Sequence, residues 1–124
     1  MTLKELYDAI DGDYEQGMRV LRIEKLMDKH IRRLPANPVF AELKEAGEAM
    51  DGARLFESAH AVKGVCSNLG LAKLSSLAAD ICDEFRPGNA RKYSDAEIKR
   101  KLAEAQALFE KAVKGIQEYE KAAL

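Results

Sequence analysis

The sequence predicts an all-α fold: an antiparallel four-helix bundle with one or two additional short N-terminal helices. Three observations carry that prediction. Ala, Leu, Glu and Lys, all strong helix formers, dominate the 124 residues, while Trp is absent and Pro numbers three. Apolar residues recur at three- and four-residue spacing through most of the chain. Start and stop signals leave only short connections, which make amphipathic helices antiparallel neighbours. At this length the chain reads as one domain over residues 1–124, long enough to bury its own core.

Thr2 and Glu5 form a capping box that opens a short first helix through about Ile10. "DGD" at 11–13 breaks it. A second helical stretch is expected from about Tyr14 to Leu34, with Val20, Ile23, Leu26, Met27, Ile31 and Leu34 on one side and Gly17 weakening its first turns. Pro35 and Pro38 end it and bracket the start of a third, near 38–50, with Phe40, Leu43, Ala46 and Met50 inward. "MDG" at 50–52 is a turn, with Asp51 as N-cap of a fourth helix that runs to about Asn68 and stops at Gly70. The fifth repeats Leu71, Leu74, Ala78, Ile81 and Phe85. "RPGNARKY" is the one evident loop. Ser94 and Glu97 then form a second capping box, and a last helix of roughly 35–40 Å carries Ile98, Leu102, Ala105, Phe109, Ala112 and Ile116.

Composition also narrows function. Lys and Arg number 20 against 21 Asp and Glu, so no overall attraction to nucleic acid or to an anionic membrane is expected. No apolar run approaches the roughly 18 residues of a membrane span, and no secretory signal is legible at the start. Cys66 and Cys82 form no C-x-x-C pair and read as reduced thiols. A cytoplasmic protein is the expectation. No sustained heptad remains for self-association, so a monomer is expected.

One stretch, "AHAVKGVCSNLG" from Ala59 to Gly70, points to chemistry. On a helical wheel, Leu55, Ala59, Val62, Cys66 and Leu69 fall within an arc of roughly 80°, which defines the core face. His60 lies about 140° from the centre of that arc, on an exposed stripe with Ala53, Glu57, Gly64 and Ser67. Lys63 flanks it. An imidazole titrates near 6.5 in general and is available as a neutral nucleophile. Were it to accept a phosphoryl group, Lys63 one turn on could meet the anionic oxygens as a point charge. Gly64 would keep the approach clear. A mid-helix Gly costs about 1 kcal/mol relative to Ala, and close approach by another molecule is a reason to keep one.

"AHAVKGVCSNLGLAKL" resembles the histidine-containing phosphotransfer (HPt) domains of two-component phosphorelays, whose signature is H-x-x-K-G followed by small residues and a glycine. The likeness is specific over 55–85 and extends loosely along the chain. It implies an HPt-like bundle in which His60 carries the phosphoryl group, Lys63 stabilises it and Gly64 gives steric access. It also implies a partner-binding surface, expected around Ala53, Phe56, Glu57 and Ser67. The implied partners are a histidine kinase and a response-regulator receiver domain. Many members place Gln or Glu 22 residues after the histidine to orient its ring; here that position is Cys82, whose thiol is a weaker partner.

Other readings are less well supplied. Glu57 and His60 have the Glu-x-x-His spacing of di-iron bundles, but His30 has Met27 at that spacing and His60 points outward, so no metal site is expected. His30 reads as a solvated or boundary residue, and Lys29, Arg32 and Arg33 as a solvated basic face. No Gly-rich phosphate loop or nucleotide signature is present, so the chain is expected to be no enzyme and to hold no cofactor, with Mg²⁺ supplied on the partner receiver. The expected function is a phosphorelay carrier; the alternative is an adaptor that binds a receiver or kinase without carrying phosphate, which Cys82 favours.

Overall fold

The computed structural model describes residues 1–122. Within them lie seven α-helices and no strand. The first is α1, Leu3–Ala9, whose capping box forms as expected: Glu5 N–H donates to Thr2 Oγ1 at 3.1 Å and Thr2 N–H to Glu5 Oε1 at 2.9 Å. α2, Tyr14–Leu21, starts where Asp13 Oδ1 accepts from Gln16 N–H at 3.0 Å. α3, Glu24–Arg33, runs into a 3-10 turn at Leu34–Ala36. α4, Val39–Ala49, follows Pro38. α5, Gly52–Leu69, is capped by Asp51 Oδ1 accepting from Arg54 N–H at 3.2 Å. α6 is Ala72–Glu84 and α7 Asp95–Ala122.

Helices α4, α5, α6 and α7 form the four-helix bundle, each packed on the next and α7 closing back onto α4. Phe40 of α4 and Phe109 of α7 stack at 4.0 Å between ring centroids. At 28 residues, α7 spans about 42 Å. Its Ser94 Oγ accepts from Glu97 N–H at 3.1 Å, but the return bond to Glu97 comes from the Ser94 hydroxyl rather than from its backbone. Ile98, Ala105, Ala112 and Ile116 are buried, while Leu102 and Phe109 are only half-buried.

The N-terminal third departs from expectation. The single helix predicted over 14–34 is two, so three short helices precede the bundle rather than one or two. Arg22 ends α2 in the left-handed conformation at φ 70°, its N–H bonded to Met18 O, and Ile23 restarts the chain in an extended one. The break turns Met27, Ile31 and Leu34 into the core, and it leaves Val20, Ile23 and Leu26 outside it. A straight helix could not bury both sets, because α2 packs on α5 while α3 also reaches α7.

Gly17 does not weaken α2 but seats it. A Cβ there would meet Met27 Cε at 2.8 Å and Leu69 O at 3.0 Å, so the backbone of α2 rests directly on the last turn of α5. Gly70 completes the seam: it caps α5 at φ 74°, and its carbonyl accepts from Asp13 N–H at 2.7 Å. Tyr7 donates its hydroxyl to Leu69 O at 2.6 Å from α1.

The long loop between α6 and α7 is held by one buried carboxylate. Glu84 accepts from Lys92 N–H at 3.1 Å, Tyr93 N–H at 2.8 Å and Arg91 Nε at 3.0 Å. Burial alone would raise its pKa, but those three donors outweigh it and hold the carboxyl below its ordinary range.

Candidate functional site

The core face read from the wheel is the core face of α5: Leu55, Ala59, Val62, Cys66 and Leu69 are all buried. His60, Gly64, Ala53 and Glu57 are exposed on the opposite side. Ser67 is half-buried rather than free, sharing a 2.6 Å hydrogen bond with Ser75 of α6. Phe56 and Lys63 are half-buried on the flank that faces α6. A Cβ at Gly64 would meet nothing within 4 Å, so the surface one turn beyond His60 is open.

α6 supplies the other wall. Cys82, 22 positions after His60, does come to the ring: its Sγ lies 4.0 Å from His60 Nδ1. With Nδ1 turned toward α6, Nε2 is the nitrogen left facing outward. The thiol is buried, and burial raises its pKa against the opposing pull of the Arg86 and Lys63 charges, so it stays protonated at neutral pH. At 4.0 Å from a sulfur, the contact is a weak one. Asp83 and Glu84, next along the helix, face elsewhere: Asp83 is exposed and Glu84 holds the loop.

Arg86 is the site residue that sequence reasoning missed. Its Nη2 lies 3.8 Å from Cys82 Sγ and 3.1 Å from Asp83 Oδ1. Its guanidinium lies 5.4 Å from the centre of the Phe56 ring, which in turn stacks loosely on His60 at 6.2 Å and 28°. The available signal was its spacing four residues after Cys82, the separation at which side chains meet one turn apart. It was hidden because Arg86 falls in the loop just past the end of α6.

The result is an exposed imidazole on a firm helix, two cations whose charges act on the Cys82 thiol beside it, and an uncluttered surface on one side. Such a site can take up and release an anionic group; among the described residues, no three His, Cys, Asp or Glu side chains gather to hold a metal ion. No described helix is long and apolar enough to cross a membrane. His30, on α3, stands apart from His60 on the rim of a separate depression. Among known protein families, residues 20–117 match the Hpt domain. No curated protein and no solved structure matches the chain.

Proposed function

This chain belongs to the Hpt domain family, phosphotransfer carriers that work between kinase and receiver domains in phosphorelays, and on that footing we propose that His60 is the residue that carries the phosphoryl group. The observation that supports it best is the exposure of the His60 ring beside the open surface over Gly64. Nε2 attacks the phosphorus of a receiver's aspartyl phosphate. The N–P bond forms as the P–O bond breaks, the aspartate leaves as a carboxylate with the bonding electron pair, and the Nδ1 proton stays on the ring. Transfer to a receiver aspartate is the reverse. Lys63 and Arg86 offset the arriving charge of about −1.5 to −2. The partner, not this chain, supplies Mg²⁺.

The test is incubation with a receiver domain phosphorylated by acetyl phosphate. Label that appears on this chain and is lost in acid supports the carrier. Stable binding without any label would instead support the adaptor, the reading that the weak Cys82 contact favours.

Two variants follow from the geometry. Lys63→Ala is expected to shift the loading equilibrium about fivefold, because a half-exposed charge pair is worth about 1 kcal/mol. Loading within twofold of the parent would show that Lys63 takes no part. Gly64→Leu is expected to slow transfer from the receiver at least tenfold while the protein melts no lower, since the new side chain enters open space on α5 and replaces a poor helix former. Unchanged transfer in that variant would remove the steric role of Gly64.

A further inference from the structure

The four seams of the bundle are unequally filled, and the one between α4 and α7 is the least closely packed. Phe40 stacks on Phe109 and Gly47 lies against Leu102, so the two helices run antiparallel. Between them lies a groove of about 380 Å³. It shares no helix with the α5–α6 seam that holds His60.

The groove is apolar at depth and charged at the rim. Phe40 and Leu43 are buried, Leu102 is half-buried, and Ala103 offers only a methyl group. Leu102 leans over Gly47, where a Cβ would meet its Cδ1 at 2.7 Å, so no side chain of α4 rises into the space at that level. Lys44 and Glu48 on one wall and Lys99 on the other are exposed, and none enters an ion pair among the described residues. Lys44 and Glu48 do not close on each other even though they stand one turn apart. The rim thus carries two unpaired ammoniums against one carboxylate.

Shape and charge together select the occupant. The antiparallel register sets Lys99 level with Met50, so the groove runs about ten residues from Phe40, or about 15 Å. Spread over that length, its volume gives a section of about 25 Å², the width of a single alkyl chain. Pockets for small ligands have this make-up: an apolar lining, a few polar groups that fix orientation, and a volume above about 300 Å³. A purely apolar chain would leave both ammoniums unused, whereas a chain that ends in a carboxylate meets them.

We propose that the groove between α4 and α7 binds a single-chain carboxylate, its alkyl chain along Phe40, Leu43 and Leu102 and its head between the Lys44 and Lys99 ammoniums. Glu48, on the same rim, works against the head and limits its affinity. The site stands apart from the carrier chemistry: a ligand in it leaves the exposed His60 face uncovered.

The test is calorimetric titration of the full chain with laurate, held below its micellar concentration. Saturable binding at one site is expected, with a Kd on the order of 10⁻⁴ M, that of a single acyl chain leaving water. Dodecyltrimethylammonium, with the same chain and the opposite charge, is expected to bind at least about tenfold more weakly. Lys44→Gln combined with Lys99→Gln is expected to weaken laurate at least about fivefold, and Glu48→Gln to tighten it at least about twofold. Ala103→Leu fills the groove from an exposed position on α7 with another strong helix former, so it is expected to melt no lower than the parent and to bind laurate at least about tenfold more weakly. Absence of saturable binding to the parent, equal affinity for the two headgroups, or affinity unmoved by the charge substitutions would each overturn the proposal. So would laurate affinity in Ala103→Leu within about twofold of the parent, which would put the chain elsewhere. A parent dimer on sizing that Ala103→Leu disperses would overturn it too, by giving the groove to a second copy.

Discussion

His60→Ala takes up no acid-labile label from a phosphorylated receiver, and its melting temperature stays within about 2 °C of the parent: that is the expected result for the residue on which the proposed function turns. The side chain is exposed and touches the protein through a loose stack on Phe56 and a weak contact with Cys82, so little stability leaves with it. No other nucleophile can substitute. Cys82 is buried with its thiol kept protonated, and burial pushes the Cys66 thiol up to about 12. His30 sits on α3, away from the Arg86 and Lys63 charges. His60→Gln tests the same point with a polar side chain in place. The measurement is a phosphoprotein gel run with and without acid treatment. Label that survives acid, or that persists in either variant, would show that the phosphoryl group goes elsewhere.

Glu84→Gln carries the largest expected loss of stability, about 3 kcal/mol, or roughly 10 °C in Tm. The substitution removes the charge that three donors share, and it brings an amide NH₂ toward at least one of them. The pH dependence has a definite sign. The folded pKa of Glu84 lies below its unfolded value, so its contribution is complete above the ordinary carboxylate range and is lost as pH falls through the folded pKa. The Tm gap between parent and variant is therefore expected to be widest near neutral pH and to narrow in acid. A gap that stays constant from pH 7 down to 3 would mean that the carboxylate's charge is not what secures the loop.

The parts of the fold governed by local chemistry were legible in advance. Thr2, Asp51 and Gly70 marked helix ends because caps answer to backbone groups within a few residues. The direction of His60 followed from the periodicity of a single helix. Where tertiary packing decides, the reading failed. Nothing in "MRVLRIEKL" carries a Gly or Pro to mark the break at Arg22, and an unbroken apolar stripe suggested a longer helix. The left-handed turn goes with packing: α2 lies on α5, whereas α3 touches α7 as well as α5. The site divided in the same way. His60, Lys63 and Gly64 share α5 and could be read together. That Cys82 reaches the ring, and that Arg86 comes with it, depends on how α5 and α6 are set against each other.

The seam where Gly17 and Gly70 bring two backbones together has a bearing on how the protein opens and closes. The pair that builds the site, α5 and α6, is contiguous in sequence, so its contacts close over short loops. α1 and α2 instead reach the bundle across some of the longest separations in the chain: Tyr7 to Leu69 spans 62 residues and Asp11 to Lys111 spans 100. Contacts of that kind form late and are the first released in partial unfolding. In native-state hydrogen exchange, the amides of α1 and α2 are expected to exchange at lower opening free energy than those around Val62 and Ala78. The Asp13 amide, bonded across the seam to Gly70, reports that first opening directly. A molecule that has shed its N-terminal helices in this way would still hold the histidine ring against its neighbour on α6, so the reactive unit outlasts the part of the fold that braces it.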